Sequence, residues 1–533
     1  MTDPVSAGGV TVTVAGPALQ ASQATVLETA ADDGLPARLL AKDATLWGPE
    51  AAAEAGVRLG WLDAVRVGRE LLPELERLRN ELASEGVTRV VLAGMGGSSL
   101  APEVICATAG KPLVVLDTTD PAQVRAALGS DMERTVVVVS SKSGGTVETD
   151  SHRRAARAAF EAAGIDPAER IVVVTDPGSP LEQTAKDEGT RAVFLADPDV
   201  GGRYSALTAF GLVPAALAGV DVTGLLDEAA ALEPCLTSVE DNPALALGAV
   251  LGGAAVGGRD KLVIADAGSG ISGFGDWAEQ LIAESTGKHG KGILPVVVES
   301  PDAPGTSPAA DVHLLVLGGG APADGTAVSG PLGAQLLAWE YATAVAGRVL
   351  QINPFDQPNV QESKDNTKAI LESDRTPAGK PIFTEGAIEV YGDVSASDVA
   401  GALDALLAAV PDRGYLAVMA YLDRRVDARA HDLRALLAAR VAHSVTFGWA
   451  PRFLHSTGQL HKGGPQTGAF LQITGAVTED LDVPGRNYSF GELQAAQAMG
   501  DLRALTSRDR PVLRLHLTDR NAGLDALLAA ARG

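Results

Sequence analysis

The sequence RVVLAGMGGSS at residues 89–99 joins a short apolar run to a turn rich in glycine and serine. Similar runs recur, each ending in Gly, Ser or Asp and followed by an alanine-rich segment long enough for a helix. They lie at 89–93, 113–116, 136–139, 171–174 and 192–195. Runs that are apolar throughout, rather than at every second residue, are typical of strands buried on both faces. The pattern therefore predicts an α/β fold with a parallel sheet and helical crossovers.

A second set of apolar runs begins at residue 261, and a third section from about residue 375 has strands of its own. The second set lies at 261–265, 293–298 and 312–317, and the third at 415–419 and 512–517. Before the first set, leucines and a valine at helical spacing between residues 67 and 82 predict one long helix. We therefore predict four parts: 1–87, a lead-in that packs on the first domain; 88–225, a first α/β domain; 245–370, a second α/β domain; and 375–533, a C-terminal section.

The composition limits the class of protein. With 533 residues and 46% hydrophobic content, the chain has room for roughly three domains with ordinary cores. A formal charge of -24 makes nucleic acids and anionic membranes poor partners. Two cysteines, Cys106 and Cys235, are too few for a disulfide framework and offer no zinc spacing.

Localisation follows from what the apolar segments lack. The N-terminus has neither the basic start nor the apolar run of a signal peptide, so we expect a cytoplasmic protein. Two uncharged stretches, 204–220 and 242–258, fall short of the roughly 20 apolar residues that a membrane span needs. They predict buried helices beside a sheet.

Ligands of open α/β sheets bind at the carboxyl ends of strands, and the first such turn is Gly94-Met95-Gly96-Gly97-Ser98-Ser99. It nearly fits a dinucleotide fingerprint, and Asp117 stands at about the distance of a ribose-binding acid, which keeps a dehydrogenase open. Ser99, however, occupies the place of the third glycine. Two serines at a helix start suit one small anion instead. A tight turn without a ligand is the remaining alternative.

The second turn, Ser140-Ser141-Lys142-Ser143-Gly144-Gly145-Thr146, follows a strand of four valines. Its hydroxyl groups, and glycines that let backbone amides approach a ligand, suit a phosphate monoester. It lacks the nucleotide P-loop pattern, so a sugar phosphate is favoured over ATP. Helix capping alone would need only one Ser or Thr.

Two further motifs contain charged residues. Arg203 lies in the segment Gly201-Gly202-Arg203-Tyr204-Ser205, where the simplest interpretation is an arginine paired with a carboxylate. Gln280 and Glu284 are four residues apart, hence on one helix face, and Gly287 is a plausible helix end. A glutamate at a helix end is more often solvated than catalytic.

Taken together, these motifs resemble the phosphoglucose isomerase family. The resemblance includes the Gly-Ser turn, the serine-rich loop, the Gly-Gly-Arg-Tyr-Ser segment and the Glu-Ser-x-Gly-Lys segment that ends at Lys288. A fifth motif, Asn353 to Val360 with Lys364 beyond it, is similar to the family's Phe-Asp-Gln segment and active-site lysine. The five motifs follow the family's order from about residue 90 to 370.

The histidine motif departs from the family's order. The family places a His-Ser-x-x-Gln motif before the Phe-Asp-Gln segment, but here the match is His455-Ser456-Thr457-Gly458-Gln459, about a hundred residues after it. The chain thus resembles an actinobacterial-type branch, including the isomerase half of transaldolase–isomerase fusions. His313 is the sole histidine in the expected interval and lies in an apolar run, while His289 is a reserve candidate.

The resemblance implies two sugar-isomerase (SIS) parallel-sheet sandwich domains plus a C-terminal α/β section, and reversible conversion of glucose 6-phosphate to fructose 6-phosphate in glycolysis and gluconeogenesis. No metal and no cofactor is expected. The implied base is Glu284, with Arg203 stabilising the enediolate, and His455 and Lys364 serve ring opening. The implied substrate-binding residues are Gly97, Ser98, Ser141, Lys142, Ser143, Thr146 and Gln280.

The resemblance also implies a homodimer whose histidine crosses the subunit interface, and the loop-like run after His461 favours the partner's site over the same chain's. Two other classes of function stay open, a regulator that binds sugar phosphate without turnover and a nicotinamide-dependent dehydrogenase. The sequence leaves open whether mannose 6-phosphate is accepted.

Overall fold

The computed structural model describes residues 3–359, 367, 369–371 and 379–533. The strands are β1 Val5–Ala7, β2 Val10–Val14, β3 Arg89–Gly94, β4 Val114–Leu116, β5 Thr135–Ser140, β6 Ile171–Thr175, β7 Ala192–Leu195, β8 Lys261–Asp266, β9 Leu294–Val298, β10 Val312–Leu317, β11 Gly325–Ser329, β12 Phe383–Glu385, β13 Ile388–Gly392, β14 Tyr415–Tyr421, β15 Ser444–Trp449, β16 Gly468–Gly475 and β17 Val512–Leu517. The predicted α/β class is confirmed.

The helices connect and cover these strands. They are α1 Pro17–Asp32, α2 Leu35–Leu40, α3 Ala52–Ala55, α4 Ala64–Ser84, α5 Leu100–Thr108, α6 Pro121–Leu128, α7 Val147–Ala162, α8 Pro180–Glu188, α9 Ala209–Leu217, α10 Val222–Leu232, α11 Pro243–Val256, α12 Phe274–Thr286, α13 Leu332–Val349, α14 Val399–Ala408, α15 Asp432–Ala438, α16 Gly458–Gly463, α17 Phe490–Thr506 and α18 Arg520–Arg532. The long helix predicted from the leucine spacing is α4, which buries Leu75, Leu78 and Leu82.

The first sheet has the strand order β4-β3-β5-β6-β7, and all its pairings are parallel. Every residue of β5 is buried, as the continuous apolar run predicts. Because the strands are parallel, their carboxyl ends and the turns after β3 and β5 lie at one edge of the sheet. This edge brings the two serine-containing turns together.

The second sheet has the order β1-β2-β11-β10-β8-β9 and includes a part of the lead-in. Strand β2 pairs antiparallel with β11, and β1 forms a hairpin with β2. Residues 5–14 therefore belong to the second sheet, which corrects the expectation that the whole lead-in packs on the first domain. The physical reason is that the alternating burial of β2 suits a strand of any sheet with one covered face, and its sequence does not select one. Helix α4 does pack against α9 and α10 of the first part; the predicted domain limits stay predictions.

The two uncharged stretches form α9 and α11, both buried almost throughout. Helix α11 packs against α1 and α13. Nowhere in the described ranges is a helix long and apolar enough to cross a membrane.

The C-terminal section forms a mixed sheet with the order β12-β13-β17-β16-β14-β15. One face and its helices enclose a separate core that includes Leu416, Leu433 and Leu527. The section also packs on both other sheets, since Phe453 belongs to an apolar cluster with Val296 and Phe490 belongs to one with Val139. It thus covers the region where the motif residues lie.

Candidate functional site

The turn after β3 approaches three other segments closely enough to require glycine. A Cβ atom on Gly97 would lie 1.9 Å from the backbone oxygen of Gly202, and one on Gly96 would lie 2.6 Å from Nε2 of Gln280 and 3.0 Å from the backbone oxygen of His455. Gly96 also has a φ of 56°, which favours glycine. The turn, the arginine segment, helix α12 and the histidine turn therefore meet at one place.

Gln280 and Glu284 share a buried face of α12, as their spacing predicts. Nε2 of Gln280 donates to Oε2 of Glu284 at 3.1 Å and to the backbone oxygen of His455 at 2.7 Å. Oε1 of Glu284 lies 3.6 Å from Nη1 of Arg203, and both side chains are more than nine-tenths buried. The site therefore holds a carboxylate and a guanidinium side by side, shielded from water.

Arg203 is held by several acceptors besides this carboxylate. Its Nε donates to Ser285 Oγ at 2.8 Å, its Nη1 to Gln357 Oε1 at 2.9 Å, and its Nη2 to the backbone oxygen of Pro354 at 2.6 Å. These bonds fix the guanidinium plane beside Glu284. The simple interpretation of Arg203, an ion pair with a carboxylate, is thus present in the structure, and its role in a site stays a prediction.

Lys288 holds the segment that carries these acceptors. Its ammonium donates to the backbone oxygens of Asn353 and Asp356 at 2.7 and 2.6 Å and to Asp356 Oδ1 at 2.6 Å. Burial lowers the pKa of Lys288 to about 8. Lys364, the predicted active-site lysine beyond this segment, lies outside the described residues.

His455 reaches the site of its own chain. Its Nε2 lies 2.9 Å from Oε1 of Glu148, which also accepts from Nε2 of Gln497 at 2.7 Å. Glu148 is a functional residue that the sequence analysis missed, although its place in the first turn of α7, directly after the serine-rich loop, could have indicated it. The bond from Gln280 to the His455 carbonyl joins residues of one chain. Within this chain the turn of His455 lies against Gln280 and Glu148, which favours a site in the same chain, and the preference for the partner's site stays a prediction.

The two reserve histidines have other surroundings. His313 is buried in β10 with Nε2 2.8 Å from Thr326 Oγ1, and burial lowers its pKa to about 4, which suits a core histidine. His289 is exposed, with a positive φ of 55°. His455, by contrast, is linked to Glu284 through Gln280, which donates to both residues.

The serine-rich loop lies between β5 and α7. Ser141 is buried with Oγ 3.3 Å from Thr146 Oγ1, whereas Ser143 is exposed and its Oγ accepts from the amide of Gly145. Thr146 is the N-cap residue of the 16-residue α7, yet its side chain makes no capping bond. The hydroxyl groups therefore stand beside the positive end of a helix dipole.

Lys142 departs from its predicted role. Its ammonium lies 2.5 Å from Oδ2 of Asp176 and donates to the backbone oxygen of Pro198 at 3.0 Å. Both partners lie beyond the loop, after the next two strands. We therefore correct the expected phosphate contact. Lys142 connects the loop to the segments after the next two strands, because the carboxylate of Asp176 attracts its ammonium group.

Ser98 is buried in the turn after β3, where its amide donates to the backbone oxygen of Met95. Asp117, the candidate ribose-binding acid, is also buried, and its Oδ2 lies 3.1 Å from Nε of Arg452. A carboxylate neutralised in this way is not free to bind a ribose. Among the described residues, no group of three or more His, Cys, Asp or Glu side chains could hold a metal ion.

Sequence comparison now adds to this geometry. The family model of phosphoglucose isomerase matches residues 79–292. Residues 79–292 are therefore similar to the phosphoglucose isomerase family. The match includes the glycine turn, the serine-rich loop, Arg203 and Glu284, and it ends before His455. The predicted resemblance to the phosphoglucose isomerase family is confirmed.

Curated relatives agree with the phosphoglucose isomerase match. A probable glucose-6-phosphate isomerase of Haloarcula marismortui is 39% identical over 39% of this chain and 48% of its own. Glucose-6-phosphate isomerase of Thermosynechococcus vestitus is 39% identical over 38% of this chain and 40% of its own, and glucose-6-phosphate isomerase 1, chloroplastic, of Arabidopsis thaliana is 38% identical over 38% and 35%. The chain matches less than half the length of each of these relatives.

Solved structures share the phosphoglucose isomerase fold over a longer range. A glucose-6-phosphate isomerase from Chlamydia trachomatis has a TM-score of 0.54 at 19% identity, covering 69% of this chain and 89% of that one. A hypothetical protein from Thermus thermophilus has a TM-score of 0.56 at 24% identity, covering 68% and 100%. At these identities the likeness shows the fold alone.

Proposed function

We propose that this protein is a glucose-6-phosphate isomerase, which interconverts glucose 6-phosphate and fructose 6-phosphate. The observation that carries the proposal is the buried pair of Glu284 and Arg203, which Gln280 joins to the turn of His455. The family model that matches residues 79–292 and the names of the curated relatives support the same reaction.

Glu284 is the base of the proposed reaction. Conversion of an aldose to a ketose requires removal of the proton at C2 and its return at C1, through a cis-enediolate. A carboxylate does this when it is positioned and largely removed from water. Glu284 meets both conditions, because Gln280 orients one carboxylate oxygen and the side chain is 8% exposed.

Arg203 stabilises the enediolate. The intermediate carries negative charge on its oxygens, and a fixed cation in a shielded site lowers the barrier by about 3 kcal/mol. The guanidinium needs no reorganisation, since Ser285, Gln357 and Pro354 already hold its donors. Because Arg203 lies beside Glu284, the cation and the base would act on the same two carbon atoms of the substrate, C1 and C2.

Ring opening precedes proton transfer and needs an acid at the ring oxygen. We assign this step to His455, oriented by the carboxylate of Glu148, with Lys364 in support. Gln280 has a second task, because its Oε1 is buried and, within the described ranges, accepts no hydrogen bond. It is an acceptor for a sugar hydroxyl group. Gly97 and Ser98 line the same turn.

The phosphate of the substrate is assigned to the serine-rich loop. Ser141, Ser143 and Thr146 offer hydroxyl groups at the start of α7, where the helix dipole favours an anion. The loop leads directly into Glu148, so a bound phosphate and the histidine turn are linked through the first turn of one helix.

The experiment is a coupled assay that adds fructose 6-phosphate and follows glucose 6-phosphate. We expect turnover by the wild type and a loss of about 10²–10⁴-fold in Glu284→Gln, which keeps shape and hydrogen bonding but removes the base. Affinity for the sugar phosphate should stay nearly unchanged. The control is Glu70→Gln, which alters an exposed carboxylate on α4.

Other outcomes of this assay discriminate between functions. Activity of Glu284→Gln within about tenfold of wild type would remove Glu284 from the base role. Thermal stabilisation by sugar phosphate without turnover would favour a regulator. Thermal stabilisation by NAD or NADP would favour the dehydrogenase hypothesis. The buried ion pair of Asp117 and Arg452 argues against that hypothesis.

We further propose a cytoplasmic homodimer that serves glycolysis and gluconeogenesis, as the family resemblance implies. Mixing inactive Glu284→Gln and His455→Ala chains, with unfolding and refolding, tests whether a dimer shares its sites. Because His455 contacts its own chain's Gln280, we expect no recovery despite subunit exchange. Recovery toward about a quarter of wild-type activity would show sharing between subunits and contradict the structure.

A further inference from the structure

The turn that carries His455 comes from a section with its own hydrophobic core. That core includes Leu416 and Leu527, whereas Phe490 of the same section packs into a separate cluster with the first sheet. The position of His455 relative to Glu148 and Gln280 therefore depends on contacts between the C-terminal section and the two preceding domains. Hydrogen bonds of 2.9 and 2.7 Å tolerate little displacement of either section.

Arg452 begins the short 3-10 turn that ends at His455. Its guanidinium is 10% exposed and meets two carboxylates of the first domain: Nε lies 3.1 Å from Asp117 Oδ2, and Nη2 donates to Glu103. Asp117 directly follows β4, and Glu103 lies in α5. Arg452 thus spans from the histidine turn to two elements at the carboxyl edge of the first sheet.

A second arginine completes this cluster. Arg424, also from the C-terminal section, donates to Glu103 Oε1 at 2.8 Å and lies 3.7 Å from Asp117 Oδ1. Two cations therefore face the carboxylates of Glu103 and Asp117, and Asp276 Oδ2 of α12 lies 4.0 Å from Nη1 of Arg452, so the cluster holds three carboxylates. Burial alone would raise the pKa of Glu103, but Arg452 and Arg424 together lower it to about 2, which shows how strongly the carboxylate interacts with both arginines.

The chain beyond His455 is held as well. Gln459, four residues on, donates to the backbone oxygen of Gly287 at 2.9 Å, at the end of the helix that carries Glu284. The histidine turn is therefore attached to the second domain on one side and, through Arg452, to the first domain on the other. Since Glu148 belongs to the first domain, the contact of Arg452 contributes to the distance between Glu148 and His455, together with the bond from Gln497 to Glu148.

We propose that Arg452 is a positioning residue, which fixes the displaced His455 over the first domain through Asp117 and Glu103. The proposal rests on the proposed isomerase function, because its consequence is the ring-opening step. It explains how a histidine encoded in the C-terminal section can serve a site built by the two preceding domains. Arg452 itself is assigned no contact with substrate.

The test compares Arg452→Met with Arg452→Lys and with a matched control. Methionine keeps the unbranched apolar stem but loses the guanidinium and its charge, and lysine keeps the charge but cannot engage two carboxylates with one planar fork. The control is Arg520→Met, since Arg520 also joins the C-terminal section to the first domain, with Asp120 Oδ2 at 2.7 Å. It lies outside the turn of His455.

We expect Arg452→Met to lower kcat by about 10–100-fold, the effect of a displacement near 1 Å, with KM changed by less than about threefold. Arg452→Lys should fall in between, and Arg520→Met should stay within about threefold of wild type. An equal loss of kcat in Arg520→Met would show that losing any ion pair between the C-terminal section and the first domain lowers kcat. That result would overturn the proposal.

A double variant decides whether Arg452 acts through His455. If it does, Arg452→Met/His455→Ala has the kcat of His455→Ala alone, because there is no histidine left to position. If the loss of kcat in the double variant equals the product of the losses in the two single variants, the proposal is overturned. If Arg452→Met fails to fold, the same cycle with Arg452→Lys gives the answer. Inactivity of the wild type would refute the proposed function, whereas an active wild type with a fully active Arg452→Met refutes only this inference.

Discussion

The cluster around Glu103 predicts how the protein responds to acid. The pKa of Glu103 would be raised by burial, but Arg452 and Arg424 lower it from 4.5 to about 2. A carboxylate whose folded pKa is depressed contributes stability above its unfolded pKa and loses it as the pH falls toward the folded value. The relevant interval is therefore pH 4.5 down to about 2.

The magnitude follows from the size of this depression. Each pKa unit corresponds to about 1.4 kcal/mol, which gives an upper value of about 3 kcal/mol for Glu103. Its side chain is 29% exposed, so solvent screening reduces this contribution. We expect Glu103 to stabilise the folded protein by about 2 kcal/mol at pH 6, and about half of that should be lost by pH 3.

The assay is urea unfolding of the wild type and Glu103→Gln at pH 6 and pH 3. The amide keeps the size of the side chain but cannot titrate, so the difference in the free energy of unfolding between the two proteins should shrink by about 1 kcal/mol as the pH falls. Glu161→Gln, an exposed position on α7, is the control. A difference that stays constant or grows at pH 3 would refute the reasoning.

Two further predictions concern the substrate side of the site. Replacing Ser141, Ser143 and Thr146 together by alanine should weaken the binding of every sugar phosphate by about tenfold or more, since the phosphate is common to all of these ligands. Unchanged affinity for fructose 6-phosphate in calorimetry would place the anion site elsewhere. Gly97→Ala should lower turnover by about 10²-fold in the coupled assay, because its Cβ would lie 1.9 Å from a backbone oxygen. Gly320→Ala, with nothing within 4 Å of its Cβ, is the control and should keep full activity.

The apolar runs were sufficient to predict the parallel strands closely. The run at 136–139 became β5 and the run at 312–317 became β10, because a strand buried on both faces has to be apolar at every position. The spacing of Gln280 and Glu284 likewise predicted their common helix face. Such features depend on a few adjacent residues, and the sequence shows them directly.

The sequence missed features that depend on distant parts of the chain. Lys142 looked like a phosphate ligand, but Asp176, thirty-four residues on, attracts its ammonium. Glu148 looked like an ordinary residue of the first turn of a helix, but it meets His455, 307 residues away. Ion pairs and hydrogen bonds of this kind have no local pattern.

By itself, the sequence determined the α/β class, most strands of the three sheets and which residues are candidates for catalysis or binding. Only the tertiary structure decided that β1 and β2 join the second sheet and that the backbone of His455 accepts a hydrogen bond from Gln280 of its own chain. The physical reason is the range of the forces involved. Periodic burial is recorded in neighbouring residues, whereas the placement of the C-terminal section results from contacts such as that of Arg452 with Asp117, which form only once separate domains have folded and packed.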